Sequence, residues 1–114
     1  MSTKLIANLE KMLGFGHDSA VLRFGLGSAY LKAEDAASAI PHLHDAVRQD
    51  PTYSAAWSKL GRALAECGRL EEALAAYRQG IAAAEQRGDK QAAREMAVFS
   101  RRLEQRLADG AADS

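Results

Sequence analysis

Residues 54–87 read SAAWSKLGRALAECGRLEEALAAYRQGIAAAEQR, and the stretch just before them, residues 20–53, reads AVLRFGLGSAYLKAEDAASAIPHLHDAVRQDPTY. Laid over one another, the two are identical only at Leu26/Leu60, Gly27/Gly61, Ala29/Ala63 and Ala39/Ala73. An alanine-rich composition gives nearly that much by chance. The order of residue sizes carries more: Tyr30/Leu64, Ile40/Leu74, Leu43/Tyr77, Ala46/Gly80 and Val47/Ile81 also pair like with like. A period of about 34 residues is that of a helical hairpin, a unit that cannot bury its apolar side alone and so stacks on its neighbours. Within each unit apolar residues recur three and four apart, the helical spacing. Gly27 and Gly61 on the first helix, with Ala39 and Ala73 on the second, let two backbones approach, and larger residues fill the rest.

Outward from this pair, the same spacing predicts six helices and no strand. The first covers about 3–13, with Leu5, Ile6, Leu9, Met12 and Leu13 on one stripe, and stops at Gly14 and Gly16. The second, about 19–31, is capped by Asp18 or Ser19. The third follows Asp35 and ends before Pro51, with a mild bend expected at Pro41. The fourth, about 54–66, is closed by Gly68; the fifth runs from Leu70 to about Gln86; Asp89 starts the last, which holds Ala92, Met96, Phe99, Leu103 and Leu107 in register. The expected organisation is one domain over 1–109: an N-terminal helix in 1–17, units at 20–53 and 54–87, a capping helix at 89–108, and a frayed tail at 110–114.

Trp57, Leu60, Gly61, Leu64, Gly68, Ala73 and Tyr77 in the second unit, with Leu26, Gly27, Tyr30, Ala39, Leu43, Ala46 and Pro51 in the first, make the sequence resemble the tetratricopeptide repeat (TPR) family, as a small two-repeat protein with a flanking helix at each end. The resemblance implies an all-α fold, antiparallel hairpins stacked as a short right-handed solenoid of about six helices. It also implies a protein-interaction module of adaptor, scaffold or co-chaperone-like kind, holding a peptide or helix of a partner in a concave groove. Carried over position by position, the groove falls on Val21, Phe24, Ser28 and Leu31 in the first unit and on Ala55, Ser58, Lys59, Arg62 and Glu66 in the second, with Arg94, Arg101 or Arg102 adding charge from the last helix. Two departures from the family pattern stand out. Arg23 occupies the first unit's aromatic position, and Glu85 stands where a closing proline is expected in the second, which predicts a lengthened fifth helix.

The expected groove is apolar beside the first unit and basic beside the second. Lys59 and Arg62 are three apart on one helix face, a spacing that can grip a carboxylate or an acidic segment of a partner. Phe24 and Ser28 occupy places where chaperone-binding relatives carry a lysine-and-asparagine clamp, so that clamp is not expected. Val21, Phe24 and Leu31 together need cover, from a bound partner, from a second copy of the chain, or from its own first helix, the simplest of the three.

Fifteen basic and fifteen acidic residues cancel to a formal net charge of +0, which removes the long-range field that gathers nucleic acid or anionic lipid. No apolar run approaches the roughly 20 residues that cross a bilayer, and polar residues interrupt 1–10 too often for a signal peptide. Cys67 is the single cysteine, excluding an internal disulfide and fitting a reducing, cytoplasmic setting. No nucleophile elbow, phosphate-cradling loop or zincin pattern is present. His42 and His44 are two apart, roughly 200° around a helix, and cannot chelate one metal as an i, i+4 pair does. The reading is therefore no enzyme, no cofactor and no metal. A self-associating structural protein is the alternative, and a small enzyme, needing His17, His42 or His44 to converge with Cys67, a distant third.

Overall fold

The computed structural model describes residues 2–113, and among these residues all regular structure is helical. The six helices are α1 (Ser2–Gly14), α2 (Ala20–Lys32), α3 (Ala36–Gln49), α4 (Ser54–Glu66), α5 (Leu70–Gln86) and α6 (Lys90–Asp113). Local chemistry sets their starts. The Ser19 hydroxyl accepts from the Leu22 amide at 3.1 Å, Asp35 from the Ser38 amide at 3.1 Å, and Asp89 from the Ala92 amide at 3.0 Å. Each satisfies one of the orphan donors of a first helical turn.

Their stops follow one repeated pattern. After α4, Gly68 at φ +75° donates to the Ala65 carbonyl and Arg69 to the Leu64 carbonyl, the double closure of a Schellman turn. The same pair of bonds closes α1 at Gly16, α5 at Gly88 and α2 at Glu34. Glu34, at φ 61°, therefore holds a left-handed position that glycine fills at the other three turns. Pro41 lies inside α3, which continues across it; the residue is exposed, as is Ala37, whose carbonyl loses a helical donor but keeps access to solvent. α5 has 17 residues against 14 in α3. α6 runs on to Asp113, past the expected end near 108, so residues 110–113 are helical.

Each helix packs on the next: α2 on α3, α3 on α4, α4 on α5 and α5 on α6, while α2, α4 and α6 also touch in succession, forming one face of the stack. α1 packs on α2 and reaches α3 through Glu10 and His42. The radius of gyration, 14.7 Å, exceeds the roughly 13 Å of a round domain of this length, as a stack with extents of 48 × 33 × 21 Å requires. Leu26, Leu43, Leu60, Leu64 and Met96 are the largest fully buried side chains. They sit where small meets large. A Cβ on Gly61 would come within 2.8 Å of the Tyr77 ring, one on Gly27 would overlap Leu43, and one on Gly80 would lie 2.5 Å from Met96 Sδ and 2.8 Å from Trp57 Cβ.

Candidate functional site

Two places on the stack bring functional side chains together. The first is on the α2/α4/α6 face. Phe24 stacks on Tyr53, with centroids 4.9 Å apart, and Lys59 Nζ stands over the Phe24 ring at 5.9 Å. Burial pushes the Tyr53 phenol above its ordinary pKa. Beside this stack a cavity of about 270 Å³ opens between α4 and α6, lined by Ser54, Ala55, Ser58 and Lys59 on one side and Asp89, Ala92, Glu95 and Met96 on the other. Small side chains on α4 make the space, and one cation faces two carboxylates across it.

The residues assigned to the groove from the sequence separate on this structure. Ala55, Ser58 and Lys59 line the cavity, and Phe24 abuts it through Lys59. Ser28 is half-buried, its hydroxyl without a hydrogen-bond partner among the described residues. Leu31 is not a groove residue: it is 5% exposed and belongs to the core cluster. Val21 is 70% exposed and faces a different cleft, beside α1. Lys59 and Arg62 have different neighbours: Lys59 stands over the Phe24 ring and lines the cavity, while Arg62 pairs with Glu66 at 3.5 Å. Arg101 is exposed on α6, outside the cavity lining, and Arg102 stands 5.8 Å over Phe99. The half of the groove expected to be basic is thus mixed in charge. Tyr53, Asp89 and Glu95 were missed; each lies at a helix start or in a polar stretch where spacing carries no signal.

The second place is a polar network that joins α1, α2 and α3. Arg23, in the position that Trp57 holds in the second unit, donates Nε and Nη2 to the two Asp18 oxygens at 2.9 and 3.0 Å and brings Nη1 to 3.1 Å from Asp45. Nη1 also lies 3.2 Å from His42 Nδ1; since a guanidinium only donates, Nδ1 is the acceptor, leaving Nε2 to donate to Glu10 at 3.3 Å. Glu10 accepts from the Tyr30 hydroxyl at 3.1 Å, and the Tyr30 and His42 rings stack at 5.6 Å. Hydrogen bonds from Arg23 and then Gln49 hold the Asp18 carboxyl at about 2, below its ordinary 3.8. This network anchors α1.

The three histidines and the cysteine stand at four different places. His17 lies beside Asp18 at the α1/α2 cleft, His42 in the network, His44 on a cleft with Trp57 and Glu72, and Cys67 exposed at the α4/α5 turn. No helix of the described residues is long and apolar enough to cross a membrane.

A fold of stacked hairpins with glycine-and-alanine contacts defines a helical-repeat protein, and comparison with known proteins names the repeat. The tetratricopeptide repeat family model matches residues 30–97. A TPR repeat-containing protein of Pseudomonas aeruginosa is 53% identical over 100 residues, 88% of this chain and 95% of that protein. Among solved structures, a Bordetella parapertussis protein is 44% identical with a TM-score of 0.77, covering 91% of this chain and 90% of its own. The Sgt2 TPR domain of Aspergillus fumigatus superposes with a TM-score of 0.81 at 26% identity, over 96% of this chain and 72% of that one. The chain belongs to the tetratricopeptide repeat family. Its fold is that of a protein–protein interaction module.

Proposed function

We propose that the chain is an adaptor-type module that holds a short segment of a partner protein on the α2/α4/α6 face, with Phe24, Ser58 and Lys59 as its leading contacts. The observation that carries the reading is the cavity between α4 and α6, open to solvent and lined by Lys59, which also stands over the Phe24 ring of the Phe24–Tyr53 stack. The neighbouring aromatic pair supplies contact area at low entropic cost, and the flanking charges supply orientation. The segment is bipolar: an acidic group meets Lys59, and a basic or amide group meets Asp89 and Glu95.

The test places a photo-cross-linking residue at Ser58 and, as a control, at the exposed Ala82 of α5. A partner captured through position 58 and not through 82, with capture falling about tenfold in Lys59→Glu, a loss of about 1.4 kcal/mol, supports the reading. Equal capture from both positions overturns it.

A further inference from the structure

The two ends of the stack are finished differently. α6 turns Arg94, Glu95, Arg101, Arg102 and Glu104 outward, a charged cap of the kind a solenoid end requires. α1 has no such cap. Leu5 is 50% exposed, Met12 46%, Phe15 70% and, next to them on α2, Val21 70%. Between α1 and α2 runs an open cleft of about 720 Å³, walled by Leu9, Met12, Val21, Leu22 and Gly25 and closed at one end by residues 17–19, where the Asp18 carboxylate is held by Arg23 and Gln49.

The repeat geometry says what shape fits there. α4 packs on α3 and also touches α2; α6 packs on α5 and also touches α4. A helix laid against α1 in the same manner would also touch α2, and the cleft lies where those two contacts meet. Gly25 keeps its floor low: a Cβ there would already reach Leu9 at 3.9 Å.

Charge says which helix. Lys4 and Lys11, seven apart and so on one side of α1, are exposed and have no carboxylate partner among the described residues. Glu10, the only acidic residue of α1, is turned away into its bonds with Tyr30 and His42. A second copy is disfavoured in either arrangement: α1 against α1 sets lysines against lysines, and the exposed apolar pair at the other end, Val98 and Phe99, offers one carboxylate, Glu95, beside Arg101 and Arg102. We propose that the α1/α2 cleft is a second docking surface, one that seats an amphipathic helix with acidic flanks from another protein, in the place a preceding helix of the stack would take.

The test uses the full chain and two fluorescein-labelled amphipathic peptides of about 18 residues, about five helical turns, with the same leucine stripe and either glutamate or lysine flanks. Anisotropy should show the glutamate peptide binding at least about tenfold tighter, a gap that shrinks as salt is raised. Amide NMR shifts should fall on Leu9, Met12 and Val21 and leave Ser58 unmoved. Met12→Glu and Val21→Glu, at exposed positions, should weaken it about tenfold each, and Lys4→Glu/Lys11→Glu should reverse the peptide preference. Equal binding of the two peptides, shifts confined to the α4/α6 cavity, or a dimer mass for the free chain in light scattering that Met12→Glu abolishes would each overturn the proposal; the last would make a second copy the occupant.

Discussion

Arg23 grips Asp18 with Nε and Nη2 on separate carboxylate oxygens, at 2.9 and 3.0 Å, in the position where the second unit carries Trp57. The folded state therefore binds the Asp18 proton more weakly, with a pKa of about 2 against 3.8. A depressed pKa contributes stability that is complete above about 4 and disappears as pH falls through about 2. The difference in melting temperature between wild type and Asp18→Asn should be constant from neutral pH down to about 4 and close between about 4 and 2. A difference that persists unchanged at pH 2 would show the carboxylate to be no part of the stability.

Glu34 sits at φ 61° in a turn whose counterparts are Gly16, Gly68 and Gly88. A side chain in that region costs about 1 kcal/mol, and glycine removes it at some expense in unfolded-chain entropy. Glu34→Gly should stabilise by about 0.5–1 kcal/mol in urea denaturation, and Glu34→Val, branched at Cβ, should destabilise by more than that. The bonds Glu34 to Leu31 and Asp35 to Tyr30 are backbone bonds and survive both changes.

These two residues also mark where sequence reading ends. The second unit was legible because Gly61, Trp57 and Tyr77 make their contacts through size, and size at a fixed spacing is what a 34-residue overlay compares. Arg23 breaks that pattern: its function depends on Asp18, His42 and Asp45, partners scattered over two other segments, so it reads from sequence only as a missing aromatic. Phe24 and Lys59 were placed by register, but Tyr53, which stacks on Phe24, lies before α4 where no register applies. Leu31 failed for the opposite reason: register gave its angle around α2, and the packing of the helices, which register does not carry, buried it in the core.

A Cβ added at Gly61 would lie 2.8–2.9 Å from three atoms of the Tyr77 ring, and Tyr77 is backed by Phe99 at 5.5 Å between centroids. The ring has little room to retreat, so Gly61→Ala gains helix propensity but loses about 1–3 kcal/mol to overpacking, with Gly61→Leu at or beyond the upper end. Phe99→Ala should free the ring and absorb part of the cost, giving a coupling of at least about 0.5 kcal/mol in a double-mutant cycle. Strict additivity would place the Tyr77 ring elsewhere.

Lys59 stands between an aromatic ring and two carboxylates, and the two influences can be separated. Removing the charge in Lys59→Met forfeits the cation–π contact with Phe24 while keeping an apolar stem on the ring, a loss of about 0.5–1 kcal/mol. Lys59→Glu does more, because it sets a third negative charge across the cavity from Asp89 and Glu95. Its extra destabilisation should be largest at low ionic strength and shrink near 1 M salt, where the screening length is about 3 Å. Glu95→Lys in the same chain should restore the lost stability by returning a cation to the cavity, and urea melts of the four proteins at two salt concentrations read each step. If Lys59→Glu and Lys59→Met are equally stable at low salt, the carboxylates do not feel position 59, and the bipolar character assigned to the bound segment falls with that result.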